Sequence, residues 1–248
     1  MARVDFDQFA ADYDRGRGIA AVGLEGWRAA TAPLLSGLRA PILDLGAGSG
    51  QFAYAFAGWF GVQVLAVEPS AGMRRAARGN GPDPRVAIIG GTAGHLPLRD
   101  GGCGAAWLST VIHHIPDLPA AARELRRVLQ PGAPVLIRGS FPGRHDGITL
   151  FHYFPGAEAV ARTFPTVAET AAAFAGAGFA MRSLESVAQQ SAPDLAAVRE
   201  RVMLRTDTTL RNLPEAEFAA GIAAIDAALA RGEGDAPVVD YLDLLVLA

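Results

Sequence analysis

Apolar positions between Asp5 and about Leu38 recur at helical spacing. Phe6, Phe9, Ala10 and Tyr13 form one stripe and Trp27, Ala30, Leu34 and Leu35 another, with Arg15-Gly16-Arg17-Gly18 between them. The rhythm then changes. Short β-rich runs at Pro41–Leu45, Val62–Glu68, Arg85–Ile89, Ala105–Ser109 and Pro134–Gly139 alternate with helical runs at Gln51–Phe60, Ala71–Arg78 and Leu118–Leu129. Strands separated by helices of this length predict βαβ units, hence an α/β fold with a parallel sheet covered on both faces. Gly81-Pro82-Asp83-Pro84 and Gln130-Pro131-Gly132 mark turns before two of the strands.

The second half is less regular. Phe141–Pro165 is a Gly/Pro/aromatic segment that carries His145, His152, Tyr153 and Phe154. Thr166–Gly176 reads as a helix ended by Gly178, and Phe179–Ala188 and Val238–Leu247 as strands with helical runs near Leu195–Leu204 and Glu215–Arg231 between them. The last strand is mostly apolar, as burial on both faces demands. No repeat or low-complexity linker interrupts the chain, so a single domain with helical additions is expected.

Composition narrows the chemistry. The 248 residues, half of them hydrophobic, suffice for a substantial core. The chain has 22 Arg and no Lys, which excludes a P-loop lysine, a Schiff-base lysine and a pyridoxal-phosphate anchor. With 25 acids and a net charge of −3, the Arg residues give no nucleic-acid signal. The lone Cys103 allows neither an internal disulfide nor a thiolate metal cluster, and points to a reducing compartment. No long uncharged apolar run resembles a membrane span, and Met1-Ala2-Arg3-Val4-Asp5 is charged rather than signal-like. The expectation is a soluble cytoplasmic protein with neither a membrane nor a nucleic acid as partner.

The most informative segment is Ile42-Leu43-Asp44-Leu45-Gly46-Ala47-Gly48-Ser49-Gly50-Gln51-Phe52, a strand that turns through glycines into a helix. Glycines there permit a tight turn and close backbone approach, and the helix start offers free N–H groups. A dinucleotide fingerprint spaces its glycines G-x-G-x-x-G; here the third comes one residue early and Gln51 takes its place. Asp44 can face into the corner, where a pyrophosphate would be repelled. Glu68 ends the next strand, 18 residues beyond Gly50, where a carboxylate can accept hydrogen bonds from two ribose hydroxyls. A ligand with a ribose, a cationic centre and an ammonium group, but no phosphate, suits this pair of acids.

Asp44-Leu45-Gly46-Ala47-Gly48-Ser49-Gly50 resembles the D-x-G-x-G-x-G motif of class I S-adenosylmethionine-dependent methyltransferases. The resemblance continues in order through Val67–Met73, Gly91–Leu98, Ser109–Asp117 and Glu124–Gly132, covers roughly residues 6–140, and is closest to the small-molecule, type 11-like branch. It implies a Rossmann-like, mostly parallel seven-stranded sheet with an antiparallel C-terminal strand. It also implies S-adenosyl-L-methionine as methyl donor, S-adenosyl-L-homocysteine as product, no metal, and a small-molecule acceptor. By the same resemblance Gly46, Gly48 and Gly50 admit the methionine and ribose portions, Asp44 lies near the ammonium and Glu68 holds the ribose. Pro69 and Met73 pack on the adenine, Thr92 and Ala93 meet its edge, and Ser109 lines the methionine part. Tyr13 and Arg17 match a Y-x-x-x-R pattern that relatives fold over the cofactor. Thr92 and Gly94 depart from the Asp and Glu that relatives often carry there.

Residues 1–40 then read as a helical cap, 41–140 as the cofactor-binding core, and 141–165 and 189–236 as acceptor-pocket insertions. His113 and His114, just beyond the fourth strand, are the candidate general bases, with adjacent side chains expected to diverge so that one faces the cleft. His145, His152, Tyr153 and Arg138 are candidate acceptor contacts, and the apolar insertion is a candidate lid or homodimer face. Two other readings stay open: a nicotinamide-dependent oxidoreductase, and a cofactor-binding interaction module without catalysis.

Overall fold

The computed structural model describes residues 10–248; Phe6, Phe9 and the charged Met1–Asp5 segment lie outside the described residues. Seven strands form one sheet: β1 (Ile42–Leu45), β2 (Val64–Val67), β3 (Val86–Ile89), β4 (Ala105–Ser109), β5 (Val135–Gly139), β6 (Met181–Ala192) and β7 (Val238–Leu247). Their order is β3-β2-β1-β4-β5-β7-β6. Strands β1 to β5 are parallel, while β7 runs antiparallel to both β5 and β6. The chain leaves β1 in one direction along the sheet and returns to β4 on its other side, which opens a crevice beyond the strand ends.

The helices follow the sequence pattern closely. Ahead of the sheet lie α1 (Ala10–Arg17) and α2 (Ala21–Leu35); α3 (Gln51–Phe60), α4 (Ala71–Gly79) and α5 (Leu118–Val128) connect strands. Ser70 caps α4 by accepting from the Met73 N–H at 3.0 Å, and Asp117 caps α5 by accepting from Ala120 at 2.8 Å. Residues 141–165, a Gly/Pro/aromatic stretch by composition, contain two short helices, α6 (Thr149–Tyr153) and α7 (Pro155–Ala161). Pro155 opens the second, where a missing N–H costs nothing. Then come α8 (Val167–Ala175), held by a reciprocal Thr166–Glu169 capping box, and α9 (Leu195–Met203), α10 (Thr208–Arg211) and α11 (Glu215–Ala230).

Alternation along the strands sorts side chains onto two faces. Leu43, Leu45, Leu108, Ile137 and Leu245 pack with Phe174 and Phe179. Ile42, Trp107 and Leu136 pack with Trp27, Phe52 and Phe56, where Trp27 and Trp107 meet edge-on at 5.9 Å. A third cluster lies mostly in the segments outside the sheet, with Phe151 and Phe154 against Val198, Leu210, Phe218 and Ile225, and reaches Ala192 at the end of β6. Gly221 of α11 is there because Phe154 lies where its Cβ would be. Among the described residues no helix is long and apolar enough to cross a membrane.

Candidate functional site

The turn after β1 is built from backbone. Gly46, Gly48 and Gly50 have φ of 71°, 57° and 84°, a region that costs other residues free energy. Space is restricted as well, since a Cβ on Gly46 would lie 2.5 Å from Val111 Cγ2. The Gly46 N–H donates to the Val67 carbonyl at 2.8 Å, and the Gly48 N–H donates to Glu68 Oε2 at 3.0 Å. The other oxygen of Glu68 accepts from the Ser70 N–H at 2.8 Å. Two backbone amides thus fix a carboxylate that is 6% exposed at the end of β2.

Asp44 is one strand away and more deeply buried, at 1% exposure. Burial first, and then repulsion from Glu68, push its carboxyl up to about 8, against a backbone hydrogen bond from Ala53. Its Oδ2 is buried with no hydrogen-bond partner. Both acids line a cavity of about 970 Å³, near the upper end of the roughly 300–1,000 Å³ that small-molecule sites span.

The opposite wall comes from the ends of β4 and β5. Thr110 sits at φ 50°, a strained conformation for a branched residue, and donates its N–H to the Arg138 carbonyl at 2.8 Å. A 3₁₀ turn at Ile112–His114 follows. It brings both imidazoles to the cavity, contrary to the expectation that they diverge: their ring centres are 4.1 Å apart, and His113 stacks on Phe164 at 4.1 Å and 5°. Burial pushes His113 down to about 3, helped by repulsion from His114, and His114 down to about 4, helped by Arg17. Both rings are neutral at physiological pH.

Arg138, on β5, is 6% exposed. Its Nη1 donates to Ser109 Oγ at 3.1 Å and its Nη2 to Gln189 Oε1 at 2.6 Å, while Nε has no partner. The guanidinium lies 4.9 Å from the Trp27 ring centre and 5.5 Å from that of Phe52. Burial pushes it down to about 9, which still leaves it charged at neutral pH.

The N-terminal segment closes over the crevice through polar contacts. Gln51 accepts from the Ile19 N–H at 3.0 Å and donates to the Ile19 carbonyl at 2.6 Å. Ser49 donates to Asp14, which also accepts from Asn80 Nδ2 at 2.9 Å. From the insertion, Asp207 pairs with Arg17, and Arg201 donates to the carbonyls of Ser191, Gly16 and Gly18.

Of the residues singled out from sequence, Tyr13, Arg17, Asp44, Gly46, Gly48, Glu68, Pro69, Met73, Thr92, Ala93, Ser109, His113, His114 and Arg138 line this one cavity. Four do not. Gly50 lies behind it, against Tyr54 and Ala77, and serves the turn. His145 is buried against Phe151 and 3.6 Å from Glu158, while the exposed His152 meets Tyr153 edge-on, outside the cavity wall. Sequence reasoning missed Asp14, Gln51, Gln189 and Asp207. Gln51 alone had a local signal, as the residue standing where a dinucleotide site keeps glycine.

A glycine turn with two buried acids, at the switch point of a seven-stranded sheet whose β7 is antiparallel, defines the class I methyltransferase fold. Residues 43–137 match the family model described as a methyltransferase domain, and the chain carries such a domain. It is 34% identical over 141 residues to an uncharacterized methyltransferase of Mycobacteroides abscessus, covering 54% of this chain and 52% of that protein. Against a demethylmenaquinone methyltransferase of Roseiflexus sp. it is 31% identical over 153 residues, covering 60% and 64%. The chain thus spans only about half to just under two thirds of these relatives. The crystal structure of an Anabaena variabilis protein assigned as a methyltransferase of an antibiotic-biosynthesis pathway superposes with a TM-score of 0.68. It does so at 23% identity over 88% of this chain and 95% of that one, a likeness of fold.

Proposed function

We propose that the chain, acting as one domain, transfers a methyl group from S-adenosyl-L-methionine to an oxygen, nitrogen or carbon nucleophile of a small molecule. The carrying observation is the pair of acids at the glycine turn. Glu68 is oriented by two amides toward the place a ribose would take, and Asp44 offers a buried oxygen that lacks a partner and suits an ammonium. The residues therefore fit this donor, which supplies an activated methyl on a sulfonium. Met73, Thr92 and Ala93 line the same cavity and would border the adenine.

The protein's own contribution is alignment. Holding nucleophile and methyl group in line removes up to roughly 7–11 kcal/mol of barrier in ideal cases. Ile148, Leu150, Phe151, Phe164, Val198 and Val202 give the far part of the cavity an apolar lining, which favours an acceptor with an apolar body and excludes water. His113 and His114 serve as neutral walls and hydrogen-bond acceptors, because a base with a pKa near 3 or 4 gives little driving force for proton removal. The nicotinamide reading is disfavoured by Asp44 at the corner where a pyrophosphate would lie, and by Gln51, whose side chain is committed to Ile19.

Isothermal titration of the folded protein with S-adenosyl-L-homocysteine tests the donor assignment, and absence of binding would refute it. Incubation with methyl-labelled S-adenosyl-L-methionine and small-molecule extracts tests transfer: a product one methyl heavier is expected. Binding without transfer to any fraction would favour the non-catalytic module.

A further inference from the structure

Arg138 is a buried cation that no carboxylate of the cavity wall meets in an ion pair, Asp240 acting on it only at longer range. Its polar partners, Ser109 Oγ and Gln189 Oε1, are neutral, and among the described residues it makes no ion pair. A buried charge without a counter-charge costs several kcal/mol after relaxation, so a fold that keeps one must compensate it elsewhere. The other arginines that line the cavity are engaged. Arg17 is matched by Asp207, and Arg201 is spent on three backbone carbonyls. This removes Arg17, the cation that the Y-x-x-x-R pattern offers, from the role of free anion receptor.

The position of Arg138 narrows what it can receive. In the strand register Asp44 pairs with Trp107, Trp107 with Leu136, and Ser109 with Arg138. Side chains alternate along strands, so Asp44, Ser109 and Arg138 all emerge on the same sheet face, Ser109 and Arg138 two residues further along. That face also carries Phe52, from the helix that begins at the glycine turn. Here, then, are an acid with an unpartnered oxygen and a base with an unpartnered nitrogen, both lining one cavity. They are complementary to a zwitterion rather than to each other.

We propose that Arg138 receives the α-carboxylate of the cofactor's amino-acid portion, with Asp44 receiving its ammonium and Ser109 bridging the two. This rests on the S-adenosylmethionine reading above. A carboxylate on the acceptor is the competing ligand. The setting of Arg138, beside Ser109 and Phe52 rather than among the insertion residues around Phe151 and Leu210, favours the cofactor.

The test is calorimetric titration of the full chain with S-adenosyl-L-homocysteine and with its decarboxylated analogue, S-adenosyl-3-thiopropylamine. The wild type is expected to prefer the carboxylate-bearing ligand by at least about 30-fold, the worth of one charge-assisted hydrogen bond. In Arg138→Gln that preference should fall to within about threefold, with affinity for the analogue unchanged. Arg138→Met, an apolar replacement of similar length that removes the buried charge, guards against a variant that fails to fold, and should behave alike. Near-UV circular dichroism and melting temperature establish folding. A wild-type chain that binds both ligands equally overturns the proposal. So does a folded variant that keeps the preference, or one that loses both ligands in equal proportion. A wild-type chain that binds neither ligand overturns the donor assignment itself, which separates the two failures.

Discussion

The cavity has two halves built on different principles. Around β1 and β2 it is made of backbone: two glycines with positive φ, Gly46 and Gly48, and amides that aim the Glu68 carboxylate. Around α6, α7 and α9 to α11 it is made of apolar side chains packed in their own cluster, joined to the N-terminal segment by the Arg17–Asp207 pair and by Arg201, which donates to the Gly16 and Gly18 carbonyls. The first half fixes atoms to within a hydrogen bond's tolerance, as a constant ligand requires. The second fixes only shape and polarity, so its lining can change with little effect on the first. On the proposed function, the first half would serve the donor and the second the acceptor.

The sharpest way to break this division is Glu68→Ala. It removes the acceptor of two amide hydrogen bonds as well as the proposed ribose contact, and homocysteine-cofactor affinity should fall by about 100-fold or more in calorimetry. The fold should survive, because the carboxylate is peripheral to both core clusters; unchanged affinity would refute the ribose role.

Gly221→Ala attacks the other half. The added methyl meets Phe154, and overpacking of this kind costs about 1–3 kcal/mol. The melting temperature should drop by about 2–4 °C per kcal/mol while S-adenosyl-L-homocysteine binds as in the wild type. A parallel loss of binding would show that the halves are not separable.

Asp44→Asn sharpens the electrostatic side. Folded, Asp44 keeps its proton up to about 8, whereas its ordinary value is 3.8. Between these values the folded state binds more protons than the unfolded one, so stability falls as pH rises through the window. The substitution removes that penalty. It should raise the melting temperature at pH 8, leave it unchanged near pH 3, and weaken homocysteine-cofactor binding at pH 8 by about tenfold. For the wild type, binding should weaken as pH falls below about 8, by at most roughly tenfold per unit.

The smallest effect is expected for His113→Phe. The folded imidazole titrates near 3 against an ordinary 6.5, so between those values the unfolded chain binds more protons and stability falls as pH drops. A phenyl ring keeps the stack on Phe164 and removes this liability, so the variant should melt higher than wild type at pH 5. Turnover near pH 7.5 should stay within about threefold, and a loss of tenfold or more would restore His113 as a base.

Legibility in the sequence follows the same division. Gly46, Gly48 and Glu68 could be read because a left-handed turn and a strand-end acid leave short-range signatures, and the strands followed from apolar runs. Arg17 was legible as a residue but its partner was not: Asp207 lies 190 positions away, and only tertiary packing brings them together. The same holds for Arg138 and Gln189, 51 apart. His152 and Tyr153 misled for a related reason. An aromatic cluster signals burial or contact, but not which side of a short helix meets the cavity, and α6 turns Phe151 inward and His152 outward. Thr110 at positive φ had no signal at all.

The position of β7 within the sheet has a kinetic consequence. Residues 238–247 sit between β5 and β6, hydrogen-bonded to both. During synthesis every other strand emerges first, and until β7 arrives β5 and β6 each present an open edge to whatever strand is nearby. Closure of the sheet is therefore a late, long-range event, of the slow class of pairings that leave a nascent chain exposed to aggregation. Strand exchange between copies, or capture by a chaperone, should act in that interval, and a shortened β7 would lengthen it without touching any residue of the cavity's glycine turn.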